Sequence, residues 1–169
     1  MKKIYTLLLI LFFAAKSYAQ TTNYQLYAVF VISIAKYSSW PETGAKDFKI
    51  TVFGKSKVFD ELIKATGSKD IGGKKIVVTQ TDDIQSMGDA QIVYLADGKS
   101  GQLAELQKSL AGKPVMIIAE REGLFKKGAS FSFVVLDNNT LRFDINKKES
   151  ENRHIKISQN LSSLANEVI

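Results

Sequence analysis

Apolar and polar residues change period several times along this chain. The run LYAVFVISIA (26–35) is broken only by Ser33 and closed by Lys36. At about 100° per residue Gln25, Ser33 and Lys36 fall within about 80° of one another, so this pattern predicts a helix with a narrow wet stripe, buried on its other sides. Ten residues span about 15 Å, half of a bilayer core, and Trp40-Pro41 stops the helix because the residue before proline is pushed out of helical geometry. FKITVFG (48–54) then alternates as a strand does. SKVFDELIKATG (56–67) places Val58, Leu62 and Ala65 on one helical face, with Gly67 as a stop. IVVTQ (76–80), QIVYLAD (91–97) and PVMIIAE (114–120) read as further strands, with a helical turn at DDIQSMGD between the first two and a helix over SGQLAELQKSLAG (100–112) before the third. SFSFVVLD and TLRFDIN flank Asn138-Asn139 as a β-hairpin, and the tail carries Ile155, Leu161, Leu164 and Val168 at helical spacings. Strands alternating with helices imply an α/β fold: a single domain with a mostly parallel central sheet flanked by helices and a C-terminal antiparallel hairpin.

Ahead of the first helix the pattern differs. Lys2 and Lys3 precede TLLLILFFAA, and Ser17 and Ala19 stand three and one residues before a cut after Ala19. A charged start, a short apolar run and small residues are the layout of a secretory signal peptide. The expected organisation is therefore a signal peptide over 1–19 and one domain over 20–169, exported to the periplasm, with no membrane insertion of the mature chain. There is no cysteine, so neither a lipid anchor at the cut nor any disulfide can form.

Charge excludes little but weakens one class. The formal charge is +6, and removing Lys2, Lys3 and Lys16 with the leader leaves +3. The cations are 20 lysines against Arg121, Arg142 and Arg153, whereas phosphate and base recognition favours the guanidinium fork. A solvated basic surface is the better account, and no nucleic-acid partner is expected.

Catalytic chemistry is thin. His154 is the sole histidine, which removes Cys–His dyads and zinc sites needing several soft ligands. A hydrolase built on His154 is the weakest reading, because NRHIK is a charged, surface-like stretch. Asp82-Asp83 reads as helix-start charge, and Glu120 and Glu122 flank Arg121 as a structural ion pair. Asp137-Asn138-Asn139 is turn chemistry, and Arg142 with Asp144 reads as a surface pair on one strand face. No catalytic residue, metal ligand or cofactor is assigned. An internal echo is more informative: Gly54-Lys55-Ser56 and Gly98-Lys99-Ser100 each follow a strand and precede a helix. A phosphate-binding P-loop needs another glycine five positions earlier, where Lys49 and Val93 stand. What survives is a candidate anion site using Lys55, Ser56, Lys99 and Ser100, weighed against the plainer role of both serines as helix caps.

The ordered set YAVFVISIAKYSSWPE, FKITVFGKS, GGKKIVV, QIVYLA, GLFKKGASFSFVVLDNNTLRFDIN and KISQNLSSLA resembles the YfiR-like family of small exported bacterial proteins across the whole mature chain. The resemblance implies a periplasmic α/β regulator without a reaction of its own, often dimeric. It also implies a membrane-bound signalling protein as partner, either a diguanylate cyclase restrained through its periplasmic region or a sensor kinase. On that expectation the contact surface lies around Trp40, Leu124, Phe125 and Arg142, although Trp40 could equally plug the core and Leu124-Phe125 could pack beneath their own loop. The alternative is a periplasmic binder of an anionic or aromatic small molecule at the Gly-Lys-Ser segments. One departure is clear. Where the family often carries cysteine this chain reads Asp89-Ala90-Gln91, which excludes redox sensing by thiols.

Overall fold

A computed structural model of the chain describes residues 23–87 and 89–169. The proposed signal peptide lies outside the described residues. Helix α1 (Tyr24–Lys36) comes first, followed by the two-residue strand β1 (Ser38–Ser39) and by β2 (Asp47–Phe53). Helix α2 (Val58–Thr66) leads through β3 (Asp70–Ile71) to β4 (Lys74–Thr81). A 3-10 turn (Ile84–Met87), β5 (Ile92–Leu95), a second 3-10 turn (Asp97–Gln102), α3 (Leu103–Ser109) and β6 (Met116–Ala119) follow. The chain ends with a third 3-10 turn (Leu124–Lys127), the hairpin β7 (Phe131–Val135) and β8 (Leu141–Ile145), then α4 (Lys147–Asn152), β9 (Lys156–Ile157) and α5 (Gln159–Ser162).

Seven strands form one sheet in the order β3-β4-β2-β5-β6-β7-β8. The five from β4 to β7 run parallel, while β3 and β8 pair antiparallel at the edges. IVYL in β5 and MIIA in β6 are buried at every position, the signature of parallel strands covered on both faces. Their side chains alternate between two cores. On one face Ile50, Val52, Ile92, Tyr94, Met116, Ile118 and Phe133 pack against α1, α2 and Leu161. On the other, Val93, Leu95, Ile117 and Ala119 meet Leu103, Leu106, Leu110, Ile84 and Met87.

From β2 the connection through α2 moves to β4 on one side of β2, over the first face. From β4 the chain returns across β2 to β5 over the second face, and continues outward through α3 to β6. Reversing both direction and face keeps the crossovers of one hand. The strand order therefore switches between β2 and β5, the place where open α/β sheets leave a crevice at the carboxyl ends of their strands.

Two expectations need correction. The solvent stripe of α1 is wider than predicted, because Leu26 and Val29 are exposed alongside Gln25 and Lys36. The tail is not one helix. After α5 it runs extended beside β8, with Asn166 N–H donating to the Phe143 carbonyl (2.8 Å), Ile145 N–H to Glu167 (2.9 Å) and Ile169 N–H to Ile145 (2.9 Å). Backbone groups at the sheet edge demand partners, and this demand overrides the weak helical spacing of Leu164 and Val168.

Candidate functional site

The fold brings the two Gly-Lys-Ser segments together. Strands β2 and β5 are parallel neighbours with Phe53 opposite Leu95, so both segments emerge side by side at the switch point. Ala96 N–H donates to the Phe53 carbonyl at 3.1 Å, and the Gln80 side-chain amide donates to the Gly54 carbonyl at 2.8 Å. Gly54 has φ +93°, and a Cβ placed on it would stand 2.5 Å from Lys99 Cγ. Only glycine serves there. Its missing side chain lets the Lys99 stem cross to Asp82, which it meets at 3.1 Å, with the ammonium 5.2 Å from the centre of the Phe53 ring.

The four candidate residues divide. Lys99 is neutralised by Asp82, whereas Lys55 is exposed and pairs with no carboxylate among the described residues. Ser56 accepts a bond from Val58 N–H at 3.3 Å one residue ahead of the helix N-cap, Lys57, which makes no side-chain capping bond. Ser100 does not cap: its hydroxyl is buried with no hydrogen-bond partner.

Beside this crevice, under the first turns of α1, lies a polar cluster that sequence reasoning missed. The Tyr24 hydroxyl donates to Glu120 Oε1 at 3.3 Å, and the Tyr94 hydroxyl and Glu120 Oε2 are both shielded from solvent. Burial, and secondarily the Glu120 charge, push the Tyr27 phenol up to about 12 and the Tyr94 phenol well above its usual range. Both phenols stay protonated at physiological pH. The expected Glu120–Arg121–Glu122 pairing is replaced by Arg121 Nε donating to Asp97 at 2.7 Å, and this bond holds the Asp97 carboxyl below its ordinary range. An alternating strand pattern could have placed Tyr94 and Glu120 on one face, but nothing local announces that α1 supplies two more tyrosines. His154 is exposed in a left-handed turn (φ 59°) after α4. Among the described residues no three His, Cys, Asp or Glu side chains are grouped to hold a metal.

The residues expected at a partner surface are dispersed. Leu124 and Phe125 are buried, the latter 1 % exposed, because the Phe125 carbonyl is pinned by the Asn146 amide (2.9 Å) and Gly128 N–H (3.2 Å). As placed they cannot meet a partner, and the packing alternative describes them. Trp40 is half-buried, edge-on to Phe48 with ring centres 5.0 Å apart, and its indole N–H donates to the Gln91 carbonyl at 3.1 Å. Arg142 is exposed, but its expected partner Asp144 is buried and accepts from the Asn166 amide at 2.8 Å. Arg142 Nη1 reaches the Leu164 carbonyl at 3.5 Å instead. Exposed Leu164, Val168 and Ile169 continue the same edge of the molecule.

Comparison with known proteins decides the family. A model of the family described as YfiR/HmsC-like matches residues 24–166. The chain belongs to the YfiR/HmsC-like family. Members of the YfiR/HmsC-like family are periplasmic regulators rather than enzymes. No curated protein sequence matches the chain. Among the solved structures that share its fold are two of similar TM-score. One is the ABC domain in complex with L-Trp from Streptococcus pneumonia, at TM-score 0.54 and 11 % identity over 86 % of this chain. The other is a conserved domain protein from Vibrio cholerae, at TM-score 0.56 and 11 % identity over 87 % of this chain. The chain spans 60 % of the length of each. Among the described residues of this YfiR/HmsC-like chain, no helix is long and apolar enough to cross a membrane.

Proposed function

We propose that the mature chain, residues 20–169, is an exported, non-enzymatic regulator that binds the periplasmic part of a membrane-bound signalling protein, a diguanylate cyclase or a sensor kinase. The observation that carries this reading is the family match from Tyr24 to Asn166, nearly the whole described chain. The geometry is compatible with it: a rigid sheet covered on both faces, and an outer edge that exposes Arg142 and Leu164 together, with Val168 and Ile169 exposed farther along it. An exposed arginine on this edge suits protein contact, because arginine is enriched among the residues that dominate binding energy at interfaces. Signalling then follows if partner or stimulus favours one of two bound states. A homodimer is compatible with this arrangement.

Crosslinking in the native envelope tests the proposal. A photo-reactive residue at position 164 should capture one integral membrane signalling protein, and Arg142→Glu should abolish the capture while the melting temperature stays within about 2 °C. Capture unchanged in Arg142→Glu, or no membrane protein in the adduct, would refute it.

A second reading has one observation in its favour: both Gly-Lys-Ser segments meet at the switch point, the usual ligand crevice of such sheets. It assigns an anionic small molecule to Lys55, Ser56, Lys99 and Ser100. Phosphate or sulfate should then raise the melting temperature of the wild type but not of Lys55→Ala; an equal rise in both would end this reading.

A further inference from the structure

At the opposite end of the sheet, outside the amino ends of β2, β5 and β6, lies a groove of about 510 Å3, a volume suited to a compact ligand. Trp40 and Phe48 make its aromatic wall, and Ile71 and Val115 add aliphatic surface. The bond from the Trp40 indole N–H to the Gln91 carbonyl holds the ring in one orientation. No sequence motif points here, because the wall is assembled from four separate loops.

Charge at the rim selects among occupants. Lys74 is matched by Glu42 at 3.0 Å, and Asp89 is matched by Lys49. Lys36, at the end of α1, lines the same groove and pairs with no carboxylate among the described residues, so the mouth carries one uncompensated cation. An aromatic slot with a free ammonium at its mouth is a complement for one chemical class.

We propose that this groove binds a small, flat aromatic acid, its ring against Trp40 and its acid group toward Lys36. The site is separate from the Arg142 edge and from the Gly-Lys-Ser crevice, so it stands or falls independently of both readings above. Burial of apolar surface supplies attraction, and the lysine rejects uncharged analogues.

Trp40 is the sole tryptophan, so its emission reports the groove directly. The mature chain is titrated with anilinonaphthalene sulfonate while Trp40 is excited selectively. The expected result is saturable one-to-one quenching of Trp40 with sensitised dye emission, reversed by benzoate but not by benzamide. Lys36→Glu should weaken binding by about tenfold or more, and Ala45→Phe, which fills the groove from its half-buried loop, should abolish it, both variants melting as the wild type does. Lys55→Ala should bind normally. Unchanged affinity in both groove variants, equal competition by benzamide, loss of binding in Lys55→Ala instead, or no saturation up to millimolar dye would each overturn the assignment.

Discussion

Replacing Phe125 with alanine separates a core residue from a contact residue. The ring is 1 % exposed, and the turn that carries it cannot readily relax. The Phe125 carbonyl accepts from Asn146 and Gly128, Ala129 N–H donates to the Leu124 carbonyl at 3.1 Å, and left-handed glycines at 123 and 128 bracket the turn. A cavity that cannot collapse places the cost toward the upper part of the range for Phe→Ala, about 3–5 kcal/mol. For a chain of this size each kcal/mol moves the melting temperature by about 2–4 °C, so Phe125→Ala should melt about 6–20 °C lower. Urea unfolding followed by circular dichroism should show a lower midpoint at unchanged slope. Arg142→Ala, at an exposed position, should stay within about 0.5 kcal/mol of the wild type. A Phe125→Ala melt within 2 °C of the wild type would refute the reasoning. It would put the ring in solvent and return Leu124 and Phe125 to a partner surface.

Gly54→Ala should destabilise by about 1–3 kcal/mol, since it strains a positive φ and drives the Lys99 stem off its path to Asp82; a neutral result in thermal melts would show that Lys99 does not cross Gly54. The Tyr27 phenol sits at about 12 when folded against 10.0 in the open chain. A raised value stabilises the fold fully below pH 10 and loses that contribution as pH climbs toward 12, at most about 2–3 kcal/mol. Alkaline titration of Tyr27→Phe should accordingly show a shallower stability loss between pH 10 and 12, and superimposable curves for the two proteins would discard this assignment.

The regular elements were legible because they obey a period. Apolar runs such as IVYL and MIIA, buried at every residue, can only be covered strands at that length. The 3.6-residue spacing of Val58 and Leu62 is that of a helix lying on one face of the sheet, and both are buried there. Elements without apolar periodicity escaped. Helix α4 is KKESEN, a polar turn started by the Asn146 side chain accepting from Glu149 N–H, and a single asparagine is too common a signal to predict it. The tail was misread for the converse reason. Its helical spacing is real, but the unpaired edge of β8 is a stronger claim on its backbone than Leu164 and Val168 are on its dihedral angles.

Candidate sites were legible only where sequence neighbours are also spatial neighbours. Gly-Lys-Ser after a strand locates itself at the carboxyl edge, and the topology then places two copies side by side. The Trp40 groove obeys no such rule, since its walls come from positions near 36–48, 71–74, 89–91 and 114–115. Trp40 and Arg142, taken from the sequence as parts of one surface, prove to belong to different structures: a groove wall held by Gln91, and an exposed edge beside Leu164. This separation matters for mechanism. A regulator that reads a small molecule at one place and holds a protein at another needs two sites joined by a rigid body, so that occupancy of one can bias the other. On the two proposals above, the slot lies at the amino edge of the sheet and the contact at the outer edge beyond β8, and the β5, β6 and β7 strands between them are packed on both faces.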